Sequence, residues 1–195
     1  MGERVGILGG TFDPIHIGHL IVGQEVQTRC RLDRVLFVPS AQPPHKDHNE
    51  LATAEDRAEM VRLAISDNAA FELSRIEVDR EGTSYTVDTL RLLRGLLGDE
   101  SDLLLIIGAD NALEMPTWFD PAGVLALSEV TVVARPDFDR DSIDPALSKK
   151  MTFLETPLVD VSATEIRRRI KRGQPVTYLV PEKVVAYIRH RGLYL

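Results

Sequence analysis

The sequence predicts an α/β fold, a doubly wound and mostly parallel β-sheet with helices on both faces and a helical segment at the C-terminus. Two observations lead to this prediction. Short apolar runs alternate along the chain with longer stretches in which apolar residues recur at helical spacing, a pattern typical of parallel sheets. Two of the runs, 102–107 and 130–133, are almost continuously apolar or β-branched, as strands buried on both faces are.

Each element follows from this pattern. Six runs are expected to form strands: 4–8, 34–38, 71–78, 102–107, 129–134 and 156–161. Four amphipathic stretches are expected to form helices: 18–30, 53–66, 86–97 and 162–172. A last helix, 182–190, is predicted between Pro181 and Gly192, because proline suits a helix start and glycine the residue after its end. Residues 136–150 contain several aspartates and are expected to form a surface excursion.

Length, charge and cysteine content limit the class of protein. The 195 residues suit a single domain that spans 1–195. A formal net charge of −7 argues against a broad nucleic-acid interface. Cys30 is the single cysteine, so no internal disulfide can form and the chain suits a reducing compartment. The first residues show no signal-peptide pattern and no apolar run reaches ~20 residues, so we expect a soluble cytoplasmic protein without a membrane partner.

Unusual residues follow several of the predicted strands. They lie in four segments: 9–19, 39–48, 108–110 and 162–172. In doubly wound sheets, ligands bind outside the carboxyl ends of the strands. The sequence therefore predicts a single large site at that edge.

The first motif, residues 9–19, indicates a phosphate site. Gly9 and Gly10 permit a tight turn after a buried strand and let backbone N–H groups approach a phosphate. His16 and His19 are three residues apart at the start of a predicted helix, so both rings should project from one face, where the helix terminus also favours anions. Gly18 keeps one side of this pair open. The alternatives are a metal site, for which no third ligand has matching spacing, and two ordinary surface histidines.

The second motif, residues 161–167, predicts a helix start beside a cation. Ser162 and Glu165 have capping-box spacing, which explains both without any function. It does not explain five cations in an acidic chain. Of these, Arg167 lies one turn after Ala163 and can reach polyphosphate oxygens at the helix start. The other four are expected to form a solvated face: Arg168, Arg169, Lys171 and Arg172.

Other candidate ligands lie near the same edge, each with a structural alternative. Lys46 ends a proline-braced loop and suits a phosphate, although a loop lysine is often only solvated. Ser84 and Thr86 open a helix, where ordinary capping would also explain them. Trp118 could stack on an aromatic ring or simply pack in the core. Asp110 could hold a ribose hydroxyl or cap the following helix.

Taken together, these motifs resemble the nucleotidyltransferase superfamily marked by His-x-Gly-His and a late Ser/Thr-rich segment that ends in Arg. Within it, the chain looks most like the bacterial nicotinate-mononucleotide adenylyltransferases, which have a Rossmann-like fold. The resemblance covers nearly the whole chain and is carried by six segments: 9–19, 43–46, 84–90, 108–110, 116–118 and 161–167. The late motif departs from the family pattern, because Val161 and Ala163 stand in place of Ile and a second Ser.

The resemblance implies a role for each candidate residue. His16 and His19, with Arg167, would be catalytic and would stabilise charge on the transferring phosphate. ATP would contact a larger set of residues: Gly9, Gly10, Thr11, Phe12, Gly18, Gly108, Asp110, Ser162 and Thr164. The mononucleotide would contact Lys46, Ser84, Thr86 and Trp118. Mg²⁺ would accompany ATP as its cofactor, and the protein itself would provide no dedicated metal site.

The implied activity is transfer of AMP from ATP to nicotinate mononucleotide, which gives nicotinate adenine dinucleotide and pyrophosphate in NAD biosynthesis. One alternative keeps this chemistry with nicotinamide mononucleotide or phosphopantetheine as the acceptor. Another is a non-catalytic nucleotide sensor. The His-Ile-Gly-His signature also occurs in class I aminoacyl-tRNA synthetases, but this chain is much shorter and acidic, so tRNA charging is not expected. The expected partners are the two small-molecule substrates, and a homo-oligomer is left open.

Overall fold

The computed structural model describes residues 2–41, 51–80, 82–134, 138–157 and 159–195. Its centre is a six-stranded sheet in the order β3-β2-β1-β4-β5-β6, in which every neighbouring pair is parallel. The strands are β1 (Arg4–Gly10), β2 (Arg34–Pro39), β3 (Phe71–Leu73), β4 (Asp102–Gly108), β5 (Glu129–Ala134) and β6 (Met151–Glu155). This is the Rossmann-like α/β fold that the sequence predicts.

The helices connect these strands and close the chain. They are α1 (Ile17–Arg29), α2 (Ala54–Ile65), α3 (Thr86–Leu97), α4 (Ala109–Glu114), α5 (Pro121–Leu127), α6 (Pro145–Ser148), α7 (Ala163–Lys171) and α8 (Glu182–Arg191). Short 3₁₀ turns cover Met115–Thr117 and Arg140–Ser142. No helix in these described ranges is long and apolar enough to span a membrane.

Two hydrophobic cores, one on each face, make the sheet doubly wound. On one face, α1, α2, α7 and α8 contribute Val26, Met60, Ile166 and Val185. On the other face, the core includes residues from α3, α4, α5 and the β5–β6 connection: Val87, Leu90, Ala112, Val124 and Ile143. Because β4 faces both cores, its residues 103–107 are all buried, which explains why its sequence is continuously apolar.

The central strands bring the predicted site segments to one edge. Strand β1 pairs with β2 on one side and with β4 on the other. The first three strands extend the sheet to one side of β1 and the last three extend it to the other, so the strand order reverses at β1. The register aligns Gly10 with Pro39 and Leu8 with Ile106. The loops that follow β1, β2 and β4 therefore start close together, at the crevice where such folds bind ligands.

Two predicted strands differ from the observed ones. The third ends at Leu73, because the next residues form turns in which Asp79 N–H donates to the Arg75 carbonyl at 2.8 Å. The last strand is Met151–Glu155 and not 156–161, since Pro157 has no N–H to donate to a ladder. The predicted excursion at 136–150 also contains structure, because Ile143 is 2% exposed and packs into the second core.

Candidate functional site

The loop between β1 and α1 is anchored from below by Phe12. This residue has a φ of 51°, in the left-handed region, and its side chain is 2% exposed. Its ring lies 6.0 Å from the Phe37 ring and meets the His19 ring edge-on at 5.0 Å. The buried side chain belongs to the core, so Phe12 can offer a nucleotide only its backbone.

The two motif histidines lie together at the start of α1. His16 is the N-cap residue of the helix, and its ring stacks on that of His19 with centroids 3.7 Å apart and an interplanar angle of 27°. His19 Nδ1 accepts a hydrogen bond from the His16 backbone N–H at 3.2 Å. This bond fixes a tautomer for His19, because a ring that accepts through Nδ1 carries its proton on Nε2.

His16 is held in its neutral form. The residue is 7% exposed, and burial lowers the pKa of its imidazole from 6.5 to about 4. Its Nδ1 atom is buried and has no hydrogen-bond partner among the described residues. At neutral pH the ring is therefore an uncharged donor and acceptor, so His16 contributes hydrogen bonding to the site rather than a full positive charge.

The lowered pKa of His16 predicts a pH-dependent stability. Between about 4 and 6.5 the unfolded chain binds a proton at this residue and the folded chain does not, so the free energy of unfolding falls as the pH falls. The slope from this residue is at most about 1.4 kcal/mol per pH unit. Urea unfolding across this window should show a flatter pH dependence for His16→Asn than for the original protein. Equal slopes for the two proteins would contradict the burial of a neutral ring.

Gly18 leaves room for the His16 ring. A Cβ atom at this position would lie 3.1 Å from both Cε1 and Nδ1 of His16. The packing around the two histidines therefore favours glycine at residue 18, since a methyl group there would push the imidazole by a few tenths of an ångström.

The resemblance implies that His16 is catalytic. Gly18→Ala is then expected to lower kcat about threefold to tenfold, because small displacements of such a group reduce the rate steeply. The measurement is steady-state turnover, with Gly95→Ala as the matched control. Gly95 is also helical, and a Cβ atom there would meet nothing within 4 Å. A Gly18→Ala protein with the same kcat as the Gly95→Ala protein would show that the His16 ring is free to move.

Arg167 joins the second motif to the first. Its Nη1 donates to the Asp13 carbonyl oxygen at 2.8 Å and lies 3.5 Å from the Asp13 carboxylate Oδ2. The Arg167 side chain is 26% exposed, whereas that of Asp13 is 1% exposed. The guanidinium thus rests on the backbone of the loop that carries the histidines, with part of its surface open.

The start of α7 is capped by Ser162, and the cations that follow Arg167 lie on the solvent side of this helix. Ser162 is the N-cap of α7, and its Oγ accepts from the Glu165 N–H at 3.2 Å. The predicted capping box is only half formed, because the Glu165 carboxylate pairs with Arg168 and Arg169 instead. Thr164 is exposed in the first turn of α7, beside Ala163.

Arg57 is a functional candidate that the sequence reading missed. It lies in α2, is 2% exposed, and has a pKa lowered by burial. Its guanidinium donates to four backbone carbonyls, at distances from 2.6 to 3.1 Å: Thr11, Ser40, Ala41 and Ala52. These carbonyls belong to the loops after β1 and β2, so one side chain braces both. The available signal was its position on the apolar face of the helix, with Met60 and Val61.

The ATP side of the predicted site also includes the start of α4. Gly108 is the N-cap of this helix, and a Cβ atom there would meet nothing within 4 Å. Asp110 is exposed in the first turn. It is not the N-cap residue, so the capping alternative for Asp110 is wrong. Gly9 is exposed at the end of β1, and a Cβ atom on Gly10 would lie 3.1 Å from the Phe12 ring.

The predicted mononucleotide residues lie around the start of α3 and the end of α4. Thr86 is the first residue of α3, whose N-cap is Tyr85 without a side-chain capping bond, so capping by Ser84 or Thr86 is wrong. The Ser84 hydroxyl is buried next to the Glu77 carboxylate. Trp118 follows the 3₁₀ turn and packs partly buried at the edge of the second core. Lys46 lies outside the described residues.

No group of three or more His, Cys, Asp or Glu side chains that could hold a metal ion occurs in the described part of the chain. Asp13, the buried carboxylate of the first motif, is engaged by protein donors on Oδ1 and by Arg167 near Oδ2. The polar groups that meet at this loop are the imidazoles and backbone N–H groups of the loop and α1 and the Arg167 guanidinium of α7. Such donors suit an anion such as a phosphate.

Comparison with known proteins gives the family from a family model and from curated relatives, and the fold from a solved structure. Residues 7–169 match the Cytidylyltransferase-like family. A probable nicotinate-nucleotide adenylyltransferase of Roseiflexus sp. (strain RS-1) is 45% identical over 197 residues, which cover 97% of each chain. That of Moorella thermoacetica is 43% identical and covers 98% of this chain and 91% of the relative. The Plasmodium falciparum nicotinic acid mononucleotide adenylyltransferase complexed with NaAD has the same fold, with a TM-score of 0.81, 18% identity, and coverage of 98% and 97%. The chain therefore belongs to the Cytidylyltransferase-like family and, within it, to the nicotinate-nucleotide adenylyltransferases.

Proposed function

We propose that this protein transfers the adenylyl group of MgATP to the phosphate of nicotinate mononucleotide, giving nicotinate adenine dinucleotide and pyrophosphate in NAD biosynthesis. Family membership supports the reaction. One structural observation carries the assignment of the site. Arg167 donates to the backbone of the loop that bears the stacked pair His16 and His19, so cation and imidazoles converge at one strand end.

The chemistry needs no nucleophilic side chain. A phosphate oxygen of the mononucleotide attacks the α-phosphorus of ATP, the bond to the bridging oxygen of the β-phosphate breaks, and pyrophosphate leaves with that electron pair. The protein has to hold two anions together and stabilise the charge on the oxygens around the α-phosphorus. His19 would donate through Nε2, His16 would donate as a neutral imidazole, and Arg167 would contact the departing phosphates.

The other predicted ligands are proposed in supporting roles. The adenosine and phosphates of ATP would contact Gly9, Gly10, Thr11, the Phe12 backbone, Gly18, Gly108, Asp110, Ser162 and Thr164. The mononucleotide would contact Lys46, Ser84, Thr86 and Trp118. The start of α3 supports this side, because no side chain caps it and its first backbone N–H groups are left for a ligand.

Mg²⁺ is proposed to enter as part of the substrate MgATP. This ion keeps several of its waters and binds mainly through phosphate oxygens, so it needs few protein ligands. The single cysteine and the net charge of −7 support a cytoplasmic enzyme without a nucleic-acid partner, and its one sheet supports a single domain over 1–195. Formation of a homo-oligomer stays a proposal, and a hydrodynamic measurement of the molecular mass in solution would test it.

The reaction is tested by pyrophosphate release from MgATP with three acceptors supplied separately: nicotinate mononucleotide, nicotinamide mononucleotide and phosphopantetheine. We expect rapid release with the first and slow release with the others. Rapid release with one of the other two would identify that compound as the acceptor and would leave the proposed adenylyl transfer unchanged. Binding of ATP without pyrophosphate release from any acceptor would contradict the enzymatic assignment and favour the nucleotide sensor.

A further inference from the structure

The segment after α8 turns back onto the first motif. Helix α8 ends with Gly192 at a φ of 62°, and the Leu193 N–H donates to the Ile188 carbonyl at 3.0 Å. Tyr194, with a φ of 66°, then points its hydroxyl into the protein. That hydroxyl donates to Asp13 Oδ1 at 2.7 Å. A residue 181 positions away in sequence is thus bonded to the loop that carries the catalytic histidines.

Asp13 connects this tyrosine to Arg167. Its Oδ1 accepts two hydrogen bonds, from the Tyr194 hydroxyl and from the Ala52 N–H at 3.1 Å. Its Oδ2 is buried without a hydrogen bond among the described residues, and Arg167 Nη1 lies 3.5 Å away. The carboxylate is therefore held mainly through one oxygen, while the other faces the cation at a distance longer than a close ion pair.

We propose that Tyr194 is a positioning residue for ATP. By holding the Asp13 carboxylate through Oδ1, its hydroxyl sets the orientation in which Arg167 is presented to the phosphates of ATP. This inference rests on the proposed function, because it assigns to Arg167 the contact with ATP. Tyr194 itself touches no substrate and acts through Asp13.

The physical argument concerns the charge on the buried carboxylate. The phenol donor withdraws charge from Oδ1 and fixes the carboxylate plane, and Arg167 has further N–H groups beyond the one that contacts Asp13. Without the phenol, a nearly buried carboxylate keeps only the Ala52 N–H and needs another donor. Two guanidinium groups face this carboxylate, and that of Arg57 already donates to four backbone carbonyls. Arg167 is therefore expected to close onto the carboxylate and turn away from the phosphates.

The chain offers a matched control in Tyr187. This residue lies in α8, and its hydroxyl donates to Asp56 Oδ1 at 2.8 Å. Asp56 is 4% exposed, and it also accepts from Thr53 Oγ1 at 2.7 Å and Arg191 Nε at 3.0 Å. Tyr187→Phe and Tyr194→Phe therefore remove the same kind of bond between the same part of the chain and a buried aspartate. Only Tyr194 is linked to Arg167.

The experiment compares the full chain with these two variants. MgATP affinity is measured by calorimetry without acceptor, and the KM values for ATP and for nicotinate mononucleotide are measured by pyrophosphate release. Tyr194→Phe is expected to weaken ATP binding about tenfold and to raise the KM for ATP equally, with the KM for the mononucleotide unchanged. Tyr187→Phe is expected to change none of the three values, although both variants lower Tm.

A double-mutant cycle tests the route through Arg167. In an Arg167→Ala background, Tyr194→Phe should have no further effect on ATP affinity, whereas independent effects would multiply. Independent effects, or equal ATP affinity for the two Tyr→Phe variants, would overturn the inference. If the original protein released no pyrophosphate, the proposed function would fail, but the calorimetric comparison would still decide the role of Tyr194.

Discussion

His19→Ala is expected to lower kcat about a hundredfold to a thousandfold, since removal of one donor to a developing oxyanion has an effect of that size. The ring of His19 stacks on His16 and accepts the His16 N–H, so its loss removes a donor and also releases the neighbouring imidazole. His19 is half-buried, and the core below it is formed by Phe12 and Phe37. The fold should therefore survive the substitution.

The measurement is kcat for pyrophosphate release, with circular dichroism and the urea midpoint as checks on folding. His190→Ala is the control, because His190 is an exposed histidine in the last turn of α8. It should leave turnover unchanged. A folded His19→Ala protein with the turnover of the His190→Ala protein would remove His19 from the mechanism.

Arg57→Met is expected to lower the free energy of unfolding by about 3–5 kcal/mol, because each acceptor left without a donor costs about 1–3 kcal/mol and the recovered desolvation of the charge offsets only part of the sum. Methionine fills a similar volume and removes the cost of burying the charge. It leaves four partly buried carbonyls without this donor, and those carbonyls belong to the loops after β1 and β2. Activity should fall with stability, because the loop backbone at Thr11 loses its brace.

The control for this prediction lies one turn and a half further along α2. Arg62 is 56% exposed and pairs only with Glu59 in the same helix, so Arg62→Met should leave the urea midpoint unchanged. The urea midpoint of Arg57→Lys should fall between those of Arg57→Met and Arg62→Met, since lysine keeps the charge but lacks the planar guanidinium that reaches several carbonyls. Equal midpoints for the Arg57→Met and Arg62→Met proteins would show that the loops hold their shape without Arg57.

The strands that the sequence predicts well are those whose burial is uniform. Strand β4 lies between two cores, so its apolar run marks both its position and its type. Strand β3 was predicted too long, because 75–78 alternates polar and apolar residues as a strand does but folds into turns around the buried carboxylate of Glu77. That carboxylate accepts from Thr89 Oγ1 at 2.6 Å, and burial raises its pKa. A contact between a turn and a helix leaves no periodic trace in the sequence.

The candidate site also contains residues that the sequence predicts and residues that only the structure reveals. The histidines of the first motif and Arg167 could be predicted as candidates because their residue types and spacing are chemically specific, and the structure brings them to one loop. Arg57 and Tyr194 act on backbone carbonyls or on Asp13, and such contacts depend on where the chain comes together in space. A charged residue on the apolar face of α2 was a usable signal for Arg57. No local pattern marks Tyr194, whose partner is 181 residues away.

The contacts of Asp13 also determine when during folding this enzyme can begin to work. Arg167 and Tyr194 reach it across 154 and 181 residues of chain, so these loops must close before the phosphate site is complete. Contacts at such sequence separation form late, since the entropy of closing a long loop is lost before the contact compensates for it. A partly folded chain with β1 and α1 in place would already hold both histidines but would lack Arg167, the cation that we propose for ATP. We therefore expect enzymatic activity to appear only after the C-terminal segment has docked. A nascent or proteolytically cleaved chain should be inactive until that segment packs against the first motif.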